Sequence, residues 1–144
     1  MKILVVNGPN LNFLGIREKG VYGSETYEEL VEYIKDVSGK LVDEVEIKQS
    51  NSEGEIIDFL QKAYHDKTDG IIINPGAYTH YSYAIYDALK AVAIPAVEVH
   101  LSDIYSREDF RKTSVTAPAC IKQIYGKGKE GYIEGLMHLL EYLK

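Results

Sequence analysis

Residues 2–10 read K-I-L-V-V-N-G-P-N. Ile3, Leu4, Val5 and Val6 form an apolar run rich in β-branched side chains. It stops at Asn7, Gly8 and Pro9, residues that favour turns over continued sheet. The run is too short for the apolar core of a secretory signal, and no small-residue cleavage site follows it. It reads as a buried first strand. Four further runs of this kind lie at 44–49, 69–74, 95–100 and 121–125. Between them, apolar residues recur at helical spacing: Tyr27, Leu30, Val31 and Ile34, then Ile56, Phe59, Leu60 and Ala63, then Ala84, Ile85, Ala88, Leu89 and Val92. A last helix is expected to bury Ile133, Leu136, Met137, Leu140 and Leu143. Thr26 with Glu29, and Ser52 with Glu55, have capping-box spacing and mark two helix starts.

Five strands alternating with helices predict an α/β fold: a flavodoxin-like, doubly wound, five-stranded parallel sheet with helices on both faces. The length of 144 residues suits one domain spanning 1–144. The composition is that of a soluble globular chain, 45% apolar and 26% charged, without a membrane span. A single cysteine, Cys120, excludes an internal disulfide and fits a reducing cytoplasm. The net charge of −6 disfavours generic attraction to nucleic acid, and an acidic substrate would need a local cationic pocket. Of sixteen basic residues only Arg17, Arg107 and Arg111 are arginines, and all three fall in or beside loops at one end of the expected sheet. Their planar guanidinium groups suit carboxylates.

Ligands of doubly wound sheets gather outside the carboxyl ends of the strands, which directs attention to three connections. The first, N-G-P-N-L-N-F-L-G-I-R-E-K-G-V-Y-G at 7–23, is far longer than the usual connection of about two to six residues and could close as a lid. It holds Arg17 and Tyr22, although residue type alone equally allows a solvated charge and a packing tyrosine. The second, N-P-G-A-Y-T-H at 74–80, combines Asn74, Gly76 and an expected N-cap at Thr79 into a cup whose helix N–H groups favour an anion. His80 stands at its rim. The third, E-V-H-L-S at 98–102, puts Glu98 and His100 on one strand face, where a carboxylate could orient an imidazole as general acid or simply form a core pair.

Other signals in the sequence are weaker. Gly126, Gly128 and Gly131 spell G-x-G-x-x-G at the last crossover, where no later strand remains for a ribose-binding acid, so tight packing of the final helix is expected instead. Histidines 65, 80, 100 and 138 are widely spaced and match no metal motif, and no serine has a nucleophile-elbow setting. A flavodoxin-like binding module or electron carrier remains the alternative. It would need a hydroxyl- and glycine-rich phosphate loop where Gly8-Pro9-Asn10-Leu11 stands. A receiver-type signalling domain would need acidic residues in place of Asn7.

Three stretches together resemble the type II 3-dehydroquinate dehydratases: I-L-V-V-N-G-P-N-L-N-F-L-G-I-R-E with V-Y-G, then I-I-I-N-P-G-A-Y-T-H, then E-V-H-L-S with R-E-D-F-R. The resemblance implies a cofactor-free lyase, with no metal, that eliminates water anti from 3-dehydroquinate to give 3-dehydroshikimate. It implies Tyr22 as base, with Arg17 favouring the phenolate and Asn10 holding an ordered water. His100 is the implied acid, oriented by Glu98. Asn74, His80, Leu101, Ser102 and Arg111 would place the substrate, and Asp87 would reach a neighbouring subunit's site within a dodecamer of trimers. Two departures stand out beside the family pattern: tyrosines at 81, 83 and 86, and the stretch C-I-K-Q-I-Y-G-K-G at 120–128.

Overall fold

The structure, a computed structural model, describes residues 1–16 and 24–144. Five parallel strands form one sheet in the order β2-β1-β3-β4-β5. They are β1 (Lys2–Asn7), β2 (Glu44–Gln49), β3 (Gly70–Asn74), β4 (Ala96–His100) and β5 (Lys122–Tyr125), and each starts or ends within a residue of the run expected from sequence. Four helices connect or follow them: α1 (Tyr27–Ser38), α2 (Glu53–His65), α3 (Tyr83–Val92) and α4 (Glu130–Tyr142). This is the flavodoxin-like doubly wound sheet, and its order reverses between β1 and β3.

Alternation along the strands builds two cores. Ile3, Val5, Ile72, Val97 and Val99 meet α1 and α4, whereas Leu4, Val6, Ile71, Ile73 and Ala96 meet α2 and α3. Sandwiched strands need apolar residues on both faces, which is why β1 and β3 are continuous apolar runs. The edge strand β2 alternates charged and apolar residues instead.

The helix starts follow from their caps. Thr26 forms a complete capping box: its hydroxyl accepts the Glu29 N–H at 3.1 Å, and the Glu29 carboxylate accepts the Thr26 N–H at 3.3 Å. Ser52 accepts the Glu55 N–H at 3.2 Å. The third start corrects the expectation at Thr79. Ser82 is the N-cap of α3, accepting the Ile85 N–H at 3.0 Å, while Thr79 lies in the preceding 3-10 turn Gly76–His80 with its hydroxyl turned inward. In the last helix the buried stripe is Gly131, Tyr132, Gly135, Leu136 and Leu139, and Met137 is half exposed. The two glycines explain the altered phase. A Cβ on Gly131 would lie 3.3 Å from Val99, and one on Gly135 3.2 Å from Val97, so close approach of α4 to β4 turns the helix onto its glycine face. No helix among the described residues is long and apolar enough to cross a membrane.

Candidate active site

At the carboxyl ends of β1, β3 and β4 lies a cavity of about 330 Å³. Its base rests on close contact between the first and third strand exits. The Gly8 N–H donates to the Asn74 carbonyl at 2.8 Å, and a Cβ on Gly8 would fall 2.4 Å from the Pro75 oxygen. Reciprocally, Gly76 has φ +61° and its missing Cβ would meet the Pro9 oxygen at 3.1 Å. Only glycine allows both strand exits to press together in this way. The first exit then turns inward through Leu11 and Leu14, both buried. Asn10, in the left-handed region at φ 69°, is held at the cavity edge by its N–H to the Asn51 side chain at 3.0 Å.

β4 supplies the acid–base pair. Glu98 is fully buried and His100 only 4% exposed. The His100 Nε2 lies 2.8 Å from Glu98 Oε2. A carboxylate can only accept, so Nε2 carries the proton and Nδ1 remains as the nitrogen able to exchange one. Three more donors converge on Glu98: Ser114 at 2.8 Å, Gln123 at 2.9 Å, and the Thr116 hydroxyl. Burial pushes the Glu98 carboxyl up, but the hydrogen bond and charge of His100, with Thr116 and Gln123, outweigh it and hold the group below the usual carboxylate range.

The opposite wall carries His80. Its Nδ1 donates to the Thr113 carbonyl at 2.7 Å. Burial lowers its pKa more than this bond raises it, and the Arg111 charge lowers it further, which favours the neutral ring. Leu101 and Ser102 continue from His100 into the wall, their carbonyls accepting the Gly128 and Gly126 N–H groups at 3.1 and 3.0 Å. The glycines set aside as a nucleotide motif thus brace this wall. Arg111 also lines the cavity and is partly neutralised by Glu108.

Beneath Asn74 runs a neutral chain of hydrogen bonds. Asn74 Oδ1 accepts the Gly76 N–H at 3.1 Å, and its amide donates to the Tyr132 hydroxyl at 3.1 Å. Tyr132 donates to Asn7 at 2.6 Å, and Asn7 donates to Tyr27 at 3.4 Å. Burial pushes both tyrosine pKa values up, keeping them protonated.

Of the residues expected at the site, Asn10, Asn74, His80, His100, Leu101, Ser102 and Arg111 line this one cavity, with Glu98 directly behind His100. Asp87 is exposed on α3 and is not part of the lining. Arg17 and Tyr22 lie outside the described residues. The sequence reading left several contributors unassigned. Arg107 lines the cavity, 3.5 Å from the Ser102 hydroxyl, and its signals were the rarity of arginine in this chain and its place at the head of R-E-D-F-R. Ser114, Thr116, Gln123 and Tyr132 carried none. Among the described residues no group of three His, Cys, Asp or Glu side chains is placed to hold a metal ion.

A doubly wound sheet with two histidines and two arginines around a cavity at its switch point defines an α/β enzyme with a cationic pocket. Comparison narrows this further. The profile of the dehydroquinase class II family matches residues 1–140. The chain is 64% identical over 143 residues to a 3-dehydroquinate dehydratase of Clostridium acetobutylicum, covering 99% of each. The structure superposes on the crystal structure of a type II dehydroquinase from Butyrivibrio crossotus with TM-score 0.94 and 59% identity, covering 97% of both chains. For that from Propionibacterium acnes the TM-score is 0.92 and the identity 40%, covering 97% of this chain and 96% of the other. The chain belongs to the class II dehydroquinase family and is an enzyme. The resemblance carried by the three loop motifs is borne out along almost the whole sequence.

Proposed function

We propose that this enzyme eliminates water anti from 3-dehydroquinate to give 3-dehydroshikimate, with Tyr22 as base and His100 as general acid. The observation that carries the reading is the buried Glu98–His100 pair at the wall of a cationic cavity: Glu98 holds the Nε2 proton, and His100 acts as acid from its imidazolium form, whose Nδ1 proton is the one delivered. Tyr22 as phenolate takes the proton on the carbon α to the ketone, and the electron pair moves onto the carbonyl oxygen as an enolate. When the enolate collapses, the β-hydroxyl departs as water with the proton from His100. Arg17 favours the phenolate and, with a water held by Asn10, the enolate. Arg111, His80, Asn74, Leu101 and Ser102 position the carboxylate and ring hydroxyls.

The two half-reactions separate by mutation. His100→Ala is expected to exchange the α-proton with deuterated solvent without eliminating, and Tyr22→Phe to do neither. Wild-type exchange in Tyr22→Phe would remove tyrosine from this role. Arg17→Gln is expected to lower kcat about a hundred- to a thousandfold with a much smaller rise in KM. A rise in KM alone would reduce Arg17 to a substrate clamp. Borohydride with substrate, or a strong chelator, should leave activity intact.

Asp87 acts across a subunit boundary in a dodecamer, on this reading. The exposure of Tyr81 and Tyr83 beside it, at 59% and 70%, supports a covered surface there. Sedimentation velocity tests it, with monomers at working concentration as the refuting result.

A further inference from the structure

The reading of His100 as acid accounts for Glu98 but leaves a second layer of side chains behind it. Gln123 lies directly opposite Glu98 in the β4–β5 ladder, so the two side chains leave the same face of neighbouring strands. Its amide is held at both ends. Nε2 is 2.9 Å from Glu98 Oε2, and Oε1 is 2.7 Å from the Tyr105 hydroxyl. Chemistry fixes the orientation, because Glu98 can only accept. The amide nitrogen must therefore face it, and the oxygen left over must receive the tyrosine proton.

Tyr105 belongs to the 3-10 turn Ile104–Ser106, between cavity residues Ile104 and Arg107. Asp103 caps its N–H at 3.0 Å, and its ring packs edge-on against Tyr125 with centroids 4.8 Å apart. One end of the chain of bonds is thus a 37%-exposed tyrosine on the cavity loop, and the other is the buried carboxylate that orients the acid.

Resting on the assignment of His100 as acid, we propose that Tyr105 and Gln123 are positioning residues, an outer relay that sets the basicity of Glu98 and ties the 101–111 loop to the Glu98–His100 pair. Each donor to Glu98 spreads its charge and makes it a weaker acceptor toward the His100 ring. Removing Gln123's donor leaves a more basic carboxylate, which grips the imidazole proton more firmly and makes His100 a poorer acid. Among the described residues, His80 and Cys120 are the other titratable groups coupled to the pair, Arg107 and Arg111 line the same cavity, and changes at 105 or 123 leave these four in place.

The test uses Gln123→Leu, Tyr105→Phe and the double variant in the full-length enzyme. Gln123→Leu is expected to lower kcat about three- to tenfold at unchanged KM and to move the alkaline limb of the kcat profile to higher pH. Its His100 ring N–H proton resonance, assigned by its loss in His100→Asn, should move downfield. Tyr105→Phe, a surface change that leaves the fold intact, should act in the same direction by about two- to threefold and have no effect once Gln123 is leucine. An unmoved ring resonance and an unmoved pH limb in Gln123→Leu would overturn the relay. Additive effects in the double variant would also overturn it, since Tyr105 would then not act through Gln123. A moved resonance with an unaltered pH profile sustains the relay and instead removes His100 as the acid.

Discussion

On the sheet face covered by α2 and α3, Glu98 is ionised and four side-chain donors converge on it; on the face covered by α1 and α4, Asn7, Asn74 and Tyr132 bond to one another and stay neutral. Both assemblies are buried, and both end at the same cavity. They answer different demands. A neutral network costs little to bury once its donors and acceptors are matched, and it serves to hold Asn74 and the floor still. A buried carboxylate needs several donors merely to remain charged, and that charge is what makes His100 useful. The chain has therefore placed its electrostatic cost on one face and its rigidity on the other.

The sharpest way to break the contrast is Glu98→Ala. It strands four donors in the interior and is expected to cost about 3–5 kcal/mol in urea unfolding, along with most of kcat. The same loss should arrive without mutation as acid is added. The folded Glu98 pKa lies below its unfolded value, so its contribution is complete above the unfolded value of about 4.3 and disappears as pH falls through the folded one. The stability gap between wild type and Glu98→Gln should narrow over that window, and a gap unchanged down to pH 3 would contradict a charged Glu98.

Thr116→Val removes one donor to the carboxylate while keeping shape, for an expected cost of about 1.5–3 kcal/mol. Tyr132→Phe strands neutral partners only, Asn7 Oδ1 and the Asn74 amide. It should cost about 1–2 kcal/mol, independent of pH between 5 and 8, with KM affected more than kcat because Asn74 loses its anchor. A shifted pH profile in that variant would erase the distinction between the faces. Tyr27→Phe, whose bond to Asn7 is long at 3.4 Å, should change stability by less than about 0.5 kcal/mol in the same unfolding assay.

The two faces also differ in how far they could be read from sequence. Glu98 and His100 are two residues apart on a strand, so period-two geometry alone set them side by side. Strands β1, β3 and β4 were legible because sandwiched strands must be apolar throughout. Thr79 was misread as a cap because Ser82, three residues on, competes for the same job, and only the length of the 3-10 turn decides between them. Met137 was misplaced because glycines at 131 and 135 set the contact face of α4, and glycine registers as no hydrophobic signal. Gln123, Thr116 and Tyr132 were out of reach for another reason: they meet their partners across 18 to 125 residues of chain. No local pattern encodes such contacts. Asp87 is the converse, a position supplied by resemblance that makes no contact with the cavity within a single chain.

The interlocked glycines of the cavity floor bear on how this enzyme can change over time. Gly8 presses on the Pro75 main chain and Gly76 on the carbonyl and ring of Pro9, so neither glycine has room for a side chain. An altered ligand preference must be won in the side chains that line the cavity, Leu11, Leu14 and those of residues 101–111 among them, while the two glycines stay as they are. Directed evolution toward bulkier hydroxyketones should therefore accumulate its successful changes in those lining side chains and none at positions 8 or 76.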